Sequence, residues 1–303
     1  MRRVALIVNP FASSVTDDRV EAVADALGAH ADVDVRRTSH PGHAVELVGE
    51  AGDDVDAVVV YSGDGGFNEA LNGLAPDVPI GFLPGGGTSV LSRALGLPRD
   101  PVKAARAVGS ALEAGRTRRI TVGRVNGRRF GFSAGLGIAA ELVRRVDELG
   151  RTDEGRRPHD LAYALAGARM VRGRRGRFEP VLEVEGLGRA AFALVANCDP
   201  YTYFGAVPLH VAPEARFELG LDLVAPRGFG PQAVPRFLAY ALIGRGQTRA
   251  RDILYLHDAD RIEIRCSTPI PLQVDGEDLG DVEEAILEAE RAAVAVLVPI
   301  SPD

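Results

Sequence analysis

The sequence predicts an α/β domain built on a doubly wound parallel sheet, followed by a second domain of antiparallel strands. Two observations support this fold class. In residues 1–118, short apolar runs alternate with segments in which apolar residues recur at helical spacing, which is typical of parallel β-α-β units. Beyond them, strand-like runs follow one another with turn signals in between, which is typical of antiparallel sheets.

The same patterns give the elements in order. The first domain, 1–118, has predicted strands at 4–8, 33–37, 55–61 and 80–83, and predicted helices at 20–27, 44–51, 67–74, 89–95 and 102–114. In the second domain, 119–290, the pair Asn126-Gly127 predicts a tight two-residue hairpin. Two helical insertions are predicted at 136–170 and 231–244. The antiparallel strand-like runs cover 117–125, 128–133, 180–185, 190–196, 221–225, 253–257, 261–266, 272–275 and 294–298.

The composition is that of a globular protein, with 46% hydrophobic and 25% charged residues among 303. The net charge of −7 argues against nucleic-acid binding. Lys103 is the only lysine, so the chain lacks the Gly-Lys pair that a P-loop kinase requires. Cys198 and Cys266 lack metal-ligand spacing, which favours a reducing, cytoplasmic compartment. No uncharged apolar run reaches the roughly 18 residues of a membrane span, so no transmembrane segment is expected.

A glycine-rich turn follows the third predicted strand. The segment Ser62-Gly63-Asp64-Gly65-Gly66 ends an apolar run and opens directly onto a helical pattern. Small residues at a helix N-terminus expose backbone N–H groups to an anion. The segment therefore indicates phosphate binding, with Asp64 placed to hold a metal or to orient water. The competing interpretation is a tight turn alone, which is the more frequent role of short glycine turns.

A second glycine turn raises the weight of the phosphate hypothesis. Leu83-Pro84-Gly85-Gly86-Gly87-Thr88-Ser89 also follows an apolar run and also leads into a helical pattern. Turns after successive strands of a parallel sheet lie side by side at the carboxyl ends of the strands, where open α/β sheets bind ligands. We expect the two turns to form one site.

Two further features carry a functional and a structural interpretation each. Arg172, Arg174, Arg175 and Arg177 follow the first helical insertion, and they fit either a solvated loop or a patch for anionic lipid headgroups. Asp275-Gly276-Glu277 follows a strand-like run, and it fits either a turn or a carboxylate base. Spacing alone leaves both pairs of alternatives open.

Taken together, these segments resemble the diacylglycerol kinase and sphingosine kinase catalytic family, in its soluble bacterial branch within the NAD kinase-like superfamily. The most specific parts are Asn68-Glu69 with Asn72-Gly73-Leu74, and the late Asp275-Gly276-Glu277. Val8-Asn9-Pro10, Gly63-Asp64-Gly65 and Arg93-Ala94-Leu95-Gly96 occur in the order and spacing of that family. The resemblance covers nearly the whole chain. The Gly-Asp-Gly core by itself is shared with NAD kinases and phosphofructokinases.

The resemblance implies an N-terminal nucleotide domain, a C-terminal β-sandwich for the lipid, and ATP with Mg²⁺ in the cleft between them. It also implies that a last strand, within 291–303, returns to the first domain. Asp64 would lie beside Mg–ATP, and Asp275 would take the proton from the lipid hydroxyl. By position, the nucleotide would be lined by Asn9, Thr38, Ser62, Gly63, Asp64, Gly65, Gly66, Asn68, Glu69, Gly86, Gly87 and Thr88.

The sequence departs from the family pattern in both turns. The family usually carries threonine after Gly-Asp-Gly, and Gly66 stands there instead, which removes a hydroxyl expected to touch phosphate. In the second turn, Gly87 occupies the usual threonine position, and Thr88 follows one place later. Ser89-Val90 stands where the family has Asn-Asp.

Two more departures lie in the second domain. The structural metal loop of the family usually has a carboxylate, whereas Leu219-Gly220-Leu221 has none, although Glu218 and Asp222 flank it. A second Mg²⁺ held by Glu218 and Leu221 is therefore an open question. Ala139 ends a segment that usually ends in aspartate.

The resulting hypothesis is an ATP-dependent lipid kinase that phosphorylates a hydroxyl of diacylglycerol, a sphingoid base or a related lipid. Such an enzyme would be cytoplasmic and would meet its substrate at the inner face of the membrane. The sequence leaves open whether it forms a homodimer. The alternatives are an NAD kinase-like or other small-molecule kinase, and a non-catalytic protein that binds nucleotide or lipid. The lost threonine and the lost metal-loop carboxylate motivate the non-catalytic alternative.

Overall fold

The computed structural model describes residues 2–148, 160–173 and 177–299. The chain folds into two compact units. Unit 1 comprises the residues up to Ile120 and the C-terminal segment from Ala292, and unit 2 comprises Thr121–Arg291. Among the described residues, no helix is both long enough and apolar enough to cross a bilayer.

Unit 1 is a parallel sheet with helices between its strands. The elements are β1 (Arg3–Val8), α1 (Asp17–Gly28), β2 (Asp32–Arg37), α2 (His43–Ala51), β3 (Ala57–Ser62), α3 (Asp64–Gly73), β4 (Ile80–Pro84), α4 (Val90–Ala94) and α5 (Pro101–Glu113). The strands lie in the order β4-β3-β1-β2, and all these pairs are parallel. The predicted parallel α/β fold is confirmed.

Burial explains why the central strands read as continuous apolar runs. Every residue of β3 and β4 is buried, whereas β2, at the edge of the sheet, is mostly exposed. Strands covered on both faces need apolar side chains at every position. Helix starts are set by side chains: the Asp100 carboxylate accepts the Lys103 N–H at 2.8 Å, and Pro101 occupies the first turn of α5.

Unit 2 consists mainly of antiparallel strands. Its elements, with β5 starting in unit 1 and β16 ending there, are β5 (Arg118–Val125), β6 (Arg128–Phe130), β7 (Ser133–Leu136), α6 (Ile138–Asp147), α7 (Asp160–Gly173), β8 (Leu182–Val184), β9 (Gly188–Ala190), β10 (Ala193–Ala196), β11 (Thr202–Phe204), β12 (Val207–Leu209), β13 (Leu221–Pro226), α8 (Ala233–Ile243), β14 (Ile253–Ala259), β15 (Arg261–Val274) and β16 (Glu277–Val296). The main strand order is β14-β13-β10-β7-β15-β16. The predicted antiparallel C-terminal region is confirmed.

The predicted Asn126-Gly127 hairpin forms, and its second strand is shorter than expected. Asn126 and Gly127 both have positive φ, as a two-residue turn between antiparallel strands requires, and they join β5 to β6. The predicted run 190–196 is divided in two, because Gly188–Ala190 pairs with β8 whereas Ala193–Ala196 pairs with β7 and β13. The runs 261–266 and 272–275 belong to one strand, β15, apart from Asp275, which lies in the following turn.

β16 is the largest difference from the sequence prediction. Only 294–298 was expected to be a strand, yet β16 extends over Glu277–Val296. Its glutamates suit a strand because they meet arginines on other strands: Arg129 Nε lies 2.8 Å from Glu290, and Arg128 NH2 lies 3.0 Å from Glu277. Cross-strand partners of this kind override the low strand propensity of Glu and Ala. Near its end, Val296 pairs in parallel with Ile80 of unit 1.

The packing of α2 on α3 leads to a testable prediction with an internal control. A Cβ added to Gly73 would lie 2.3 Å from the Val45 carbonyl oxygen, whereas one added to Gly49 would meet nothing closer than 3.9 Å. We expect Gly73→Ala to destabilise the protein by about 1–3 kcal/mol. Gly49→Ala should instead stabilise it by roughly 0.5–1 kcal/mol, because alanine loses less backbone entropy in a helix. Urea unfolding of both variants tests this, and equal effects of the two substitutions would contradict the packing.

Candidate functional site

The two glycine turns of unit 1 are in contact, as the sequence predicted. Ser62 pairs with Pro84 in the β3–β4 register, and the Gly85 N–H donates to the Ser62 carbonyl at 2.7 Å. A Cβ on Gly86 would lie 2.9 Å from Gly63 Cα. The turns therefore touch through bare backbone, which only glycine allows at this distance.

Two carboxylates of α3, Asp64 at its start and Glu69 in its middle, bind the N-termini of other helices. The Asp64 carboxylate accepts the N–H groups of Val90 at 2.9 Å and Leu91 at 3.1 Å. The Glu69 carboxylate accepts those of Gly42 at 2.9 Å and Ala44 at 3.2 Å. Each carboxylate satisfies N–H groups that a helix leaves without an intrahelical partner.

This result changes what the second turn can offer. The sequence suggested that the helices after both turns present their first amides to an anion. The first amides of α4 are instead bound by Asp64, so the second turn contributes its loop, Gly86 to Thr88. Ser89 closes that loop, since its hydroxyl accepts the Gly86 N–H at 3.2 Å and its backbone adopts a positive φ. Gly87 is exposed and Thr88 is partly exposed.

The N-terminus of α3 lies in the first glycine turn. The helix has ten residues and begins at Asp64, directly after the fully extended Gly63. Gly65 and Gly66 occupy its first turn. Asn68 follows, completely buried, and its carbonyl accepts a hydrogen bond from the Asn72 side chain at 2.8 Å.

The residue that fills the space beside Gly66 is Ser62. A Cβ built on Gly66 would lie 2.1 Å from Ser62 Oγ and 2.8 Å from Ser62 Cβ. The Ser62 side chain is 1% exposed, and its hydroxyl has no hydrogen-bond partner among the described residues. A threonine at position 66 would collide with it. The loss of that threonine is therefore explained by a hydroxyl that reaches the same place from the end of β3.

Asn9 and Thr38 lie at the ends of the neighbouring strands. The Asn9 N–H donates to the Tyr61 carbonyl at 3.0 Å, which brings Asn9 beside the end of β3. Its side-chain Nδ2 would be 3.8 Å from a Cβ on Gly66. The Thr38 N–H donates to the Val8 carbonyl at 2.9 Å, so the buried Thr38 continues the same edge. These predicted residues thus lie along the carboxyl ends of consecutive strands.

Asp275 in unit 2 is both a turn residue and a buried carboxylate. Asp275 and Gly276 have positive φ and join β15 to β16 in a two-residue hairpin. The side chain is 3% exposed and accepts three backbone N–H groups, from Gly131 at 2.6 Å, Phe132 at 2.9 Å and Ser133 at 3.0 Å. These three donors hold both carboxylate oxygens in place.

The surroundings of Asp275 were missed at the level of sequence. Completely buried Asn197 donates to the carbonyls of Gly131 at 2.8 Å and Thr121 at 2.7 Å, which fixes the peptide segment that binds Asp275. Tyr201 lies nearby, and burial raises the pKa of its hydroxyl well above the ordinary value. No sequence signal marks these residues, because Asn197 and Tyr201 are far from Asp275 along the chain.

The loop at which the sequence left a second metal open has a different charge arrangement. Asp222 is completely buried and contacts His257 Nδ1 at 2.9 Å, the Tyr255 hydroxyl at 3.0 Å and the Asp258 N–H at 3.0 Å. Asp258 in turn pairs with Arg291 at 2.8 Å. The acidic groups here are compensated by an imidazole and a guanidinium. Of the two residues named for the metal, Glu218 is exposed and Leu221 is completely buried.

The comparisons with known proteins agree with these features. Residues 3–125 match the family model of the diacylglycerol kinase catalytic domain. A diacylglycerol kinase of Bacillus subtilis (strain 168) is 29% identical over 91% of this chain and 90% of its own length. A diacylglycerol kinase of Staphylococcus carnosus (strain TM300) is 29% identical over 56% of this chain and 55% of its own.

Solved structures share the fold over the full length. A crystal structure of a diacylglycerol kinase from Bacillus anthracis str. Sterne has a TM-score of 0.72 at 20% identity, covering 99% of this chain and 97% of its own. A second crystal structure from that organism has a TM-score of 0.78 at 23% identity, covering 99% and 96%.

The protein is therefore a phosphotransferase with an alcohol acceptor. The match of residues 3–125 to that catalytic domain, and the likeness that extends along the chain, support the diacylglycerol kinase catalytic family.

The packing of Ser62 against Gly66 predicts a strong coupling between the two positions. Gly66→Ala should destabilise the protein by about 1–3 kcal/mol, because the new methyl group overlaps the Ser62 side chain. In a Ser62→Gly background the same substitution should cost little. Urea unfolding of the two single variants and the double variant gives the coupling energy, which we expect to be roughly 1–3 kcal/mol. Additive effects would show that Ser62 does not occupy this space.

His257 predicts a pH dependence of stability. Its hydrogen bond to Asp222 raises the pKa of the imidazole above its ordinary value of 6.5. The protonated form is thus favoured in the folded state, so its contribution is complete below pH 6.5 and is lost as the pH rises through the raised pKa. In His257→Gln we expect the melting temperature to fall less over that rise than in the wild type. If the melting temperatures of the two proteins fall by the same amount over this rise in pH, the prediction is contradicted.

Proposed function

We propose that this protein is an ATP-dependent lipid kinase that transfers the γ-phosphate of ATP to a hydroxyl of diacylglycerol or a related lipid. The name of the full-length relative supports the substrate class, since that protein is a diacylglycerol kinase and aligns over 91% of this chain. The single observation that carries the mechanism is the buried Asp275 carboxylate, bound by three consecutive backbone amides.

The residues of unit 1 fit a nucleotide phosphate. The N-terminus of α3 offers amides without a side-chain cap, and within the touching glycine turns Gly65 is half-buried and Gly87 is exposed. The buried Ser62 hydroxyl, which lacks a partner among the described residues, is a donor for an anionic oxygen in place of the usual threonine. Asn9, Thr38 and the loop Gly86 to Thr88 would complete the nucleotide site.

Mg²⁺ would accompany the nucleotide and neutralise charge on its phosphate oxygens. Asp64 is the acidic side chain of the turn, and we assign it to the metal side of Mg–ATP. Its bonds to Val90 and Leu91 hold it in one orientation and join the two turns. Glu69 is assigned a positioning role, because it binds the N-terminus of α2.

Asp275 would act on the acceptor hydroxyl. Phosphoryl transfer requires an oriented nucleophile more than a strong base, since little charge develops on the attacking oxygen before the phosphate moves. A carboxylate that is held in place by backbone N–H groups can accept the hydroxyl proton late in the reaction. The hairpin turn fixes its backbone, and the three amides fix its side chain.

The proposed setting is the cytoplasm, with the lipid met at the inner face of the membrane. The two cysteines are unpaired, as a reducing compartment requires. An apolar site for the acyl chains was expected in the helical insertion at 136–170. Of its described residues, Met170 is buried, and Ile138 and Ala139 pack against the aromatic cluster of unit 2. This cluster contains Phe178, Phe192 and Phe229. Arg174 and Arg175 of the expected basic patch lie outside the described residues, whereas Arg172 and Arg177 are exposed.

The test is transfer of labelled γ-phosphate from Mg–ATP to diacylglycerol in mixed micelles, with NAD in a parallel reaction. We expect label in the organic phase, and a loss of at least about 10²-fold in Asp275→Asn because the acceptor loses its base. Nucleotide binding by Asp275→Asn, measured by calorimetry, should stay within about twofold, since Asp275 lies in unit 2.

Val184→Ala is the matched control for stability. Val184 is buried in the core of unit 2, so its truncation lowers the free energy of unfolding by roughly 1–3 kcal/mol and leaves the glycine turns and the Asp275 turn unchanged. The Val184→Ala variant should have the same turnover as the wild type at temperatures at which it is folded. Full activity of Asp275→Asn would refute the assignment of Asp275 as the base. Label confined to the aqueous phase in the reaction with NAD would indicate a small-molecule kinase. Nucleotide binding without any transfer of label would indicate a binding protein.

A further inference from the structure

Helix α8 carries apolar side chains on its outer face. No residue of α8 is buried. Leu238, Leu242 and Ile243 are 57%, 56% and 66% exposed. Leu238 and Leu242 are four residues apart and therefore lie on one face of the helix, and Ile243 follows at its C-terminal end.

The opposite face of the same helix is already used by the fold. Phe237, Val234 and Tyr240 pack against the aromatic cluster of unit 2, and the rings of Phe237 and Phe229 meet edge to face at 5.6 Å. A surface helix normally turns polar side chains outward. The outer leucines and isoleucine of α8 therefore do not serve the packing of unit 2.

A neighbouring hairpin extends this surface. β11 and β12 pair antiparallel with Phe204 opposite Val207, and these side chains are 47% and 45% exposed. The His210 N–H donates to the Ala241 carbonyl at 2.6 Å, which ties the end of the hairpin to α8. We call the five residues the α8 patch: Phe204, Val207, Leu238, Leu242 and Ile243. They are five of the eight large hydrophobic side chains that are exposed in the described part of the chain.

The α8 patch is bordered by positive charge. Residues 231–251 contain four arginines and no Asp or Glu, in a chain of net charge −7. Arg245, Arg249 and Arg251 are exposed, and none of the three has an acidic partner among the described residues. The Gln247 side chain donates to the carbonyls of His210 and Val211 at 3.1 Å, so this basic turn is fixed beside the hairpin and the end of α8.

We propose that the α8 patch and its arginines bind the surface of an anionic lipid bilayer. Aliphatic side chains next to arginines match the acyl boundary and the phosphate headgroups of such a surface. A second copy of this chain fits less well, because a two-fold contact through the patch would bring its arginines close to their own copies. The proposal rests on the proposed function, since a kinase for a bilayer lipid has to reach the bilayer surface.

Vesicle binding tests the proposal. The protein is sedimented with vesicles of phosphatidylglycerol and phosphatidylcholine in equal parts, and with phosphatidylcholine alone. We expect binding to the anionic vesicles and at least about a tenfold loss in the triple variant Leu238→Ser, Leu242→Ser, Ile243→Ser. The variant Arg245→Glu, Arg249→Glu, Arg251→Glu should lose the preference for the anionic vesicles. All substituted side chains are exposed, and melting curves show whether the variants fold.

Leu165→Ser is the matched control, because Leu165 is a 48% exposed leucine on another helix, α7. It should bind vesicles like the wild type. Loss of binding in Leu165→Ser with retention in the triple α8 variant would overturn the proposal. So would a change of the triple variant from dimer to monomer in size-exclusion chromatography with unchanged vesicle binding, which would identify the patch as a contact between copies.

A short-chain, water-soluble diacylglycerol separates this proposal from the proposed function. The triple variant should phosphorylate it like the wild type and should lose activity only on vesicles. If the wild type phosphorylates the soluble lipid while the triple variant is equally active on vesicles, the docking surface is refuted and the kinase stands. If the wild type phosphorylates neither form, the proposed function fails, whereas vesicle binding still tests the surface.

Discussion

The contact between Gly63 and Gly86 is the constraint on which the nucleotide side of the molecule depends. Two strands that end at the same level bring two turns together, and their backbones meet without side chains between them. The carboxylate of Asp64 then crosses from one turn to the helix that follows the other. A residue with a Cβ at Gly86 would separate the turns, because that Cβ would lie 2.9 Å from Gly63 Cα, and it would misalign Asp64 with its amides.

The same principle, a carboxylate bound by backbone amides, recurs at Asp275. In unit 1, Asp64 and Glu69 bind the N-termini of α4 and α2. In unit 2, Asp275 places a carboxylate in a buried hairpin turn. An isolated buried carboxylate would be costly, and three N–H donors offset that cost. The geometry of Asp64, Glu69 and Asp275 is therefore determined by peptide groups, which are held by the strands and helices around them.

The sequence was informative where the pattern is local. The buried strands of unit 1, the Asn126-Gly127 turn and the two glycine turns all follow from short segments read by themselves. β16 was missed because Glu and Ala favour helices locally, and only arginines on other strands make them suitable here. Likewise, the replacement of a threonine by Gly66 reads as a loss until the position of Ser62 is known. Tertiary contacts of this kind leave no signal in a single chain.

β16 also has a consequence for biosynthesis. It pairs with β15 in unit 2 and then, at Val296, with Ile80 in unit 1, more than two hundred residues earlier in the chain. While the chain emerges from a ribosome, β4 has an unoccupied edge throughout the synthesis of everything in between. The sheet of unit 1 is completed only after the strands of unit 2 have been made, so a nascent chain has to protect that edge until β16 has been synthesised.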